Sequence, residues 1–252
     1  MRPAEVVSPT AGSLLLLVLL LATPAEARGD WVLGAFAGGA ATRDAPLQLV
    51  QPAVGTDVTL NPVSYEGENT VWPVYYGYRL TFFPRSRWVG IEGELIHLKV
   101  VADTRRVSHA GGVIGGHAVS GRMPVAEVFE RLSITHGVNL VLVNAVLRRD
   151  LGARAANGGP ARVSLQGRGG LGASVPHPES QIDGAFRSGY EFGSLSVQAA
   201  VGAQLRLVGP FSVLAEYKVT RTAQDVAVAA GRLQTPLISH HAVVGLPARI
   251  GR

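Results

Sequence analysis

Histidines are the side chains of this 252-residue chain best suited to chemistry, and there are seven of them. Imidazole ligates metal ions and transfers protons near neutral pH. The sequence has no cysteine, which excludes thiolate metal sites and disulfides. His109 and His117 lie in the glycine-rich stretch "SHAGGVIGGH" and are interpreted as ordinary polar loop residues. His97, His136 and His177 stand at the ends of predicted strands, where a scaffold could hold them, and are better candidates for function.

One glycine-rich stretch, "GRGGLG" at 167–172, has the spacing of a dinucleotide-binding fingerprint. That motif needs a following helix whose N-terminus faces phosphate, and Pro176 and Pro178 disfavour a helix here. We therefore interpret these glycines as strand packing or bends. The sequence contains no Walker loop, zinc-protease motif or nucleophile elbow.

The elements that must position the histidines follow a period of two. In "FSVLAEYKVTR", 211–221, apolar residues alternate with a second set that includes Glu216 and Lys218, which predicts a strand with two unlike faces. Comparable stretches recur along the chain, and each is roughly as long as a tilted membrane-crossing strand. The predicted strands are 30–40, 74–83, 88–101, 137–149, 161–175, 193–208, 211–221 and 240–250.

The connections between these strands alternate in length. Segments 84–87 and 209–210 are tight turns and 149–160 is polar and turn-rich, whereas 41–73, 102–136, 176–192 and 222–239 are long. This alternation predicts an all-β fold, an antiparallel transmembrane β-barrel of about eight strands with short periplasmic turns and long extracellular loops. A soluble β-sandwich with similarly spaced turns is the alternative.

The N-terminus predicts export to the bacterial outer membrane. "LLLLVLLLA" is too short to span a bilayer as a helix, and "AEA" at 25–27 is a small-residue cleavage site. We expect residues 1–27 to be a cleaved signal peptide and 28–252 to be the barrel domain. The signal segment contains one Arg and two Glu, so the remainder has a net charge of about +6. That charge favours an anionic partner, and export favours a phosphorylated glycolipid over nucleic acid.

The barrel prediction assigns a place to the charged residues of the strands. The lumen of an eight-stranded barrel is nearly filled by side chains, so inward charges must pair with one another and an open pore is disfavoured. A structural salt-bridge plug is the simplest interpretation of most of these residues. The residues expected to face inward are Arg79, Glu92, Glu94, Arg168, Arg206, Glu216 and Lys218.

Aromatic residues are expected in two belts at the rims of the barrel. The predicted periplasmic belt is Trp31, Phe82, Phe83, Trp88 and Phe211, and the predicted outer belt is Trp72, Tyr75, Tyr76, Tyr190 and Phe192. At the C-terminus, Pro247 is expected to interrupt the last strand, and Ile250 stands near the position where such barrels usually end on an aromatic residue.

Several segments, taken in order, resemble the outer-membrane lipid A oxidase family of rhizobia and related bacteria. They are "YYGYRLTFF", "ELIHLKVV", "FERLSITHGVNLVLVN", "GLGASVPHPE" and "VLAEYKVT", and the resemblance runs from about residue 74 to residue 245. It implies an O2-dependent oxidation of the proximal glucosamine of lipid A to an aminogluconate unit, with release of hydrogen peroxide. It also implies lipid A and lipopolysaccharide as partners.

The resemblance also singles out residues by motif. "HLK" supplies His97 and Lys99, and "THGVN" supplies Thr135, His136 and Asn139. "VPHPE" supplies His177 and Glu179, and "AEYK" supplies Glu216 and Lys218. The expected catalytic set is His97, His136, His177, Glu179 and Glu216, and the expected substrate-binding set is Arg79, Lys99, Asn139 and Lys218.

Two functions from different classes follow. The first is the oxidase, with O2 as co-substrate and a divalent metal on His97, His136 and His177, together with Glu179 or Glu216; iron, copper and manganese all suit such ligands. Lys99, Lys218 and Arg79 would then hold phosphate groups. The second is a non-enzymatic outer-membrane barrel with a structural or lipopolysaccharide-binding role.

Overall fold

The computed structural model describes residues 29–84, 88–134, 136–152 and 161–250. The predicted signal peptide, 1–27, and Thr135 lie outside these residues. The described chain is all-β, with seventeen strands and two short 3-10 turns, Pro52–Val54 and Val125–Glu127. Within these residues no helix has the length and hydropathy needed to cross a membrane.

Eight of the strands form a closed antiparallel barrel, which confirms the predicted fold class. The sheet order is β1-β5-β6-β11-β12-β15-β16-β17, and β17 closes the barrel by pairing with β1, from Trp31 opposite Ile250 to Thr42 opposite Ser239. These strands are β1 (Asp30–Thr42), β5 (Tyr76–Phe83), β6 (Val89–His97), β11 (Leu140–Leu151), β12 (Val163–Ser174), β15 (Leu195–Arg206), β16 (Ser212–Val228) and β17 (Gly231–Ile250).

The two faces of each barrel strand differ as the period of two predicts. On β16 the inward Glu216 and Lys218 are buried, whereas Tyr217 between them is half exposed on the outside. The outward face is apolar all round the barrel, and an eight-stranded barrel with such a face is an outer-membrane barrel. Large apolar side chains exposed there include Leu33, Tyr78, Ile91, Val143, Leu147, Leu165, Leu171, Val201, Val244 and Leu246.

The prediction of a fourth long loop at 222–239 is wrong. β16 and β17 continue past the barrel as one hairpin, in unbroken register from Leu214 opposite Gly245 to Val228 opposite Gly231. The burial alternation also continues through this segment. The first inward residues of this segment, Thr222 and Gln224, are polar, and the inward face becomes apolar only at Val226. The sequence was therefore interpreted as a polar loop.

The prediction that Pro247 interrupts the last strand is also wrong. β17 runs through Pro247, which lies opposite Gly34 of β1. The continuous ladder between β17 and β16 ends at Gly245, so Pro247 lies beyond it on that side. A proline without an N–H is tolerated at such an edge position.

The three other outer connections fold into a compact β-structure above the barrel, here called the cap. One cap sheet extends the barrel sheet in the order β17-β2-β3-β8-β9, and the other has the order β14-β13-β10-β7-β4. The strands are β2 (Ala45–Gln51), β3 (Thr56–Val63), β4 (Tyr65–Glu66), β7 (Val100–Ala102), β8 (Val107–Ile114), β9 (His117–Pro124), β10 (Arg131–Ile134), β13 (Glu179–Ile182) and β14 (Ala185–Ser188).

Two apolar clusters lie beyond the charged lumen. The cap core packs residues of both sheets, including Leu60, Phe129 and Leu132, around the extended end of the β16–β17 hairpin. Below it, a second cluster that includes Phe36, Ile96 and Leu142 fills the outer end of the barrel. We call this second cluster the apolar plug, and the cap stands above it.

Candidate functional site

Two connections at the outer end of the barrel are joined by backbone hydrogen bonds. The His177 N–H donates to the Gly137 carbonyl at 3.2 Å, and the Val175 N–H donates to the Asn139 carbonyl at 2.8 Å. Pairing of β10 with β13 then places Glu179 opposite Ser133. This local pairing brings the segment before β11 against the segment after β12, so their polar side chains meet.

The paired segments bring two histidines and one carboxylate together. The ligand atoms of His136, His177 and Glu179 all lie within 4.8 Å of one another. Glu179 Oε1 is 2.9 Å from His136 Nδ1 and 3.8 Å from His177 Nδ1. The other carboxylate oxygen, Oε2, accepts from the exposed Arg131 guanidinium at 2.9 Å. We call His136, His177 and Glu179 the outer cluster.

The outer cluster has the donors that a metal ion requires. Two imidazoles with one carboxylate, and further positions open, form the facial triad of non-haem iron enzymes. His177 Nδ1 is buried and lacks a hydrogen-bond partner among the described residues. Burial lowers the pKa of His177, as does the nearby His136, while Glu179 raises it; the net lowering favours the neutral imidazole that a metal ligand must be. The residues present therefore fit an N/O-bound metal.

Exposed aromatic side chains lie next to the outer cluster and at the same end of the barrel. The Tyr190 ring lies 4.5 Å from the His177 ring, centroid to centroid. Tyr190 and Phe192 are 65% and 85% exposed, and Trp72 at the same end of the barrel is 85% exposed. Exposed aromatic residues at this level form the belt that meets lipid headgroups.

Not every residue predicted for the belts is exposed. Tyr75 is buried and bonds through its hydroxyl to His241 Nδ1 at 2.9 Å. Phe83 is also buried, below the Arg148 guanidinium, which lies 4.1 Å from its ring centroid. Both predictions were wrong because residue type near a strand end does not reveal which face the side chain takes.

His97 lies beside the outer cluster but is not a member of it. Its ring stacks on Tyr76 with centroids 4.8 Å apart and contacts the backbone of Gly137, where a Cβ would overlap the imidazole. His97 Nδ1 is 2.9 Å from Asn139 Oδ1. Since the Asn139 amide nitrogen donates to the carbonyls of His136, Gly137 and Val175, Oδ1 is the acceptor and His97 Nδ1 carries the proton. In the neutral imidazole, Nε2 is then the unprotonated nitrogen, and it is buried without a partner among the described residues.

Lys99 is engaged with an outer connection. Its ammonium group donates to the carbonyls of Val71 and Trp72 at 3.0 and 3.2 Å and lies 3.8 Å from Glu68. Lys99 therefore stabilises the connection before β5.

The other predicted site residues lie in the lumen, in one network here called the lumen network. Arg79 binds Glu216 through both guanidinium nitrogens, at 3.0 and 3.1 Å, and also contacts Glu94. Lys218 pairs with Glu94 and Glu216. The network joins three acidic and three basic residues whose side chains are each at most 4% exposed. They are Glu92, Glu94, Glu216, Arg79, Arg168 and Lys218.

Asn144 belongs to the same network, so its side chain faces the lumen. Its amide donates to Glu92 at 3.0 Å and to Glu94 at 2.9 Å. Gly170 lies opposite Asn144 on β12, where any Cβ would collide with the Asn144 side chain. The "GRGGLG" glycines are therefore part of a barrel strand, as predicted.

The structure thus separates the predicted site residues into two places. His136, His177 and Glu179 meet at the outer rim with His97 and Asn139 beside them, whereas Arg79, Glu216 and Lys218 lie below the apolar plug. Arg131 was missed by the sequence reasoning. Its contact with Glu179 depends on the pairing of β10 with β13, and neither four-residue strand has a period long enough to be recognised.

No protein-family model matches the chain, and no curated protein matches it. Among solved structures, the outer membrane protease OmpT of Escherichia coli is similar at 8% identity and a TM-score of 0.46, over 91% of this chain and 99% of that one. Neisserial surface protein A is similar at 9% identity and a TM-score of 0.42, over 87% and 97%. The outer membrane protein OprG of Pseudomonas aeruginosa is similar at 11% identity and a TM-score of 0.36, over 87% and 95%. With TM-scores this low, the fold rests on the chain's own strand pairing.

Proposed function

We propose that this outer-membrane barrel oxidises the proximal glucosamine of lipid A, using O2 and a divalent metal held by the outer cluster. The observation that carries the proposal is the convergence of His136, His177 and Glu179 within 4.8 Å, next to exposed aromatic residues at the outer rim. Lipid A headgroups lie at this level, in the outer leaflet. The sequence resemblance supplies the substrate and the reaction.

The reaction balances without another reductant. Oxidation removes the hydrogen on C1 and the proton of the C1 hydroxyl with two electrons, and O2 takes up all of these to become hydrogen peroxide. The resulting lactone adds water and opens to the aminogluconate. An iron ion on two imidazoles and one carboxylate would supply the one-electron chemistry that O2 requires.

The chain's own residues have separate tasks in this proposal. Arg131 holds one oxygen of Glu179, so the other oxygen faces the histidines. Asn139 fixes the His136 segment against the His177 segment. His97, with its unprotonated Nε2, is the candidate acceptor for the hydroxyl proton. The lumen network has a structural role in this proposal.

The purified protein in lipid A vesicles tests the chemistry. With iron bound we expect O2 consumed, hydrogen peroxide formed and lipid A oxidised in equal amounts. The new oxygen on the sugar should come from isotopically labelled water and not from labelled O2. A strong chelator should stop all three, and adding iron should restore them. Oxidation that continues at full rate in chelator, or label that enters from O2, would overturn the mechanism.

A further inference from the structure

The end of the barrel opposite the outer cluster carries a second set of charged residues. A cavity of about 70 Å³ opens there between the β15–β16 turn and the ends of β11, β12 and β17. Four arginines line it, Arg148, Arg162, Arg206 and Arg249, and none of the described residues that line it is acidic. By the strand order this is the periplasmic mouth of the barrel.

The arginines are only partly compensated. Arg148 lies 4.0 Å from Asp150, and Arg249 lies 3.6 Å from Asp30. Arg162 and Arg206 have no acidic partner among the described residues. Among the described residues, these four arginines and two aspartates give the mouth a net charge of about +2.

Arg162 and Arg206, which lack an acidic partner among the described residues, lie side by side. The Arg206 N–H donates to the Arg162 carbonyl at 2.8 Å, so Arg162, just before β12, lies next to Arg206 at the end of β15. Two like charges on adjacent segments repel each other, which favours an anion between them. The lumen network, in contrast, balances its charges. Arg162 and Arg206 lack the compensation that the lumen charges have, and they lie at the mouth, where a ligand can enter.

The surrounding groups favour an oxygen-rich anion. Guanidinium groups bind phosphate and carboxylate through parallel hydrogen bonds. The buried hydroxyl-bearing residues Ser164 and Ser212 line the same cavity, as does Gln204. A phosphate monoester carries a charge of about −1.5 to −2 at pH 7 and inorganic phosphate is close to this range, so either matches the excess better than a carboxylate, which carries one.

We infer that the periplasmic mouth is a phosphate-binding site formed by Arg162 and Arg206, with Arg148 and Arg249 at its sides. The phosphate comes either from a small periplasmic solute or from the phosphomonoester headgroup of an inner-leaflet lipid. The site lies at the far end of the plugged barrel from the outer cluster and does not depend on the proposed oxidase function.

Calorimetric titration of the folded full-length protein in a phosphate-free glucoside detergent, at fixed ionic strength, tests this inference. Inorganic phosphate and short-chain phosphatidic acid are the probes, with short-chain diacylglycerol as the uncharged lipid control. We expect one phosphate site per chain, and Arg206→Gln should weaken it about tenfold or more, because a charged hydrogen-bond donor is lost. Arg149→Gln is the matched control, since Arg149 neighbours Arg148 but faces outward.

The outcomes separate the sources and can refute the site. Binding of inorganic phosphate that depends on Arg206 supports a solute, and Arg206-dependent binding of phosphatidic acid alone supports a lipid headgroup. If neither probe binds, or if Arg149→Gln weakens binding as much as Arg206→Gln, the site does not exist. Heat-modifiable migration on gels checks folding, and the more exposed Arg162→Gln replaces any Arg206 variant that fails to fold.

Discussion

At the scale of single residues, Glu179 links the predicted chemistry to the fold. One oxygen binds Arg131 and the other faces His136 and His177. Glu179→Gln should keep the size of the side chain but remove its charge, and we expect metal affinity to fall more than tenfold. Anaerobic iron titration followed by metal analysis measures this. Glu127→Gln, an exposed carboxylate of the cap, should bind iron like the wild type, and an equal loss in both variants would exclude the outer cluster as the site.

Asn139 is the residue on which the geometry of the outer rim depends most. It occupies the left-handed region, with φ of 41°, and its amide joins three carbonyls and His97. Asn139→Ala and Asn139→Gly both remove the amide, but only alanine is strained in this conformation. We expect Asn139→Ala to be the less stable of the two by about 1 kcal/mol in urea unfolding from vesicles. Equal stabilities would contradict the left-handed conformation.

At the scale of elements, the lumen network holds the barrel strands in register. Glu216 binds Arg79 on β5 and Arg168 on β12 from its place on β16. Glu216→Gln leaves two buried guanidinium groups short of a counter-charge, so we expect a loss of about 3–5 kcal/mol in the free energy of unfolding. Asp225→Asn breaks the exposed pair with Arg232 and should cost less than about 1 kcal/mol. If Glu216→Gln instead folds with wild-type stability but loses lipid A oxidation, Glu216 is catalytic, as the sequence resemblance implied.

The cap is a second element with a core of its own. Phe129 is fully buried between its sheets, whereas Phe186 on β14 is 61% exposed. Phe129→Ala should destabilise the cap by about 3–5 kcal/mol and make its connections sensitive to protease, while the membrane-embedded barrel stays protected. Phe186→Ala is the control and should leave cleavage unchanged. Protection of the cap in both variants would show that its core adds little to its stability.

The barrel strands were predictable from the sequence, the outer cluster only in part, and the cap not at all. Alternation on β16, from Ser212 to Thr220, was sufficient to assign the lipid and lumen faces correctly, because a barrel has only two faces. The cap was not foreseen, since its strands are short and its sheets pair segments distant in sequence, such as β3 with β8. The outer cluster was predicted in part. Motif resemblance named His136, His177 and Glu179, but only the pairing of β10 with β13 shows that these three meet without His97.

At the scale of the whole molecule, the chain is layered along the barrel axis. An arginine-lined mouth, a neutral ion network, an apolar plug and the cap follow one another, and the outer cluster lies beside the plug.

The apolar belt around these layers fixes the barrel in the bilayer. Val143 lies near the middle of the β6–β11–β12 ladder and is 58% exposed. Val143→Arg should cost about 2–4 kcal/mol in vesicles, whereas Leu151→Arg, near the rim, should cost at most about 1 kcal/mol. Equal costs would contradict the assigned membrane position.

Mass spectrometry of lipid A, from aerated cells that lack the activity and express this chain, is the most direct test of the proposed oxidation. Wild type and His117→Ala, which changes an exposed cap histidine, should both add one oxygen to the proximal sugar, and His177→Ala should add none while the barrel is present and folded. Unmodified lipid A from cells with folded wild-type barrel would contradict the oxidase and favour a structural or lipopolysaccharide-binding role. Full modification by His177→Ala would contradict the outer cluster as the place where the oxidation occurs.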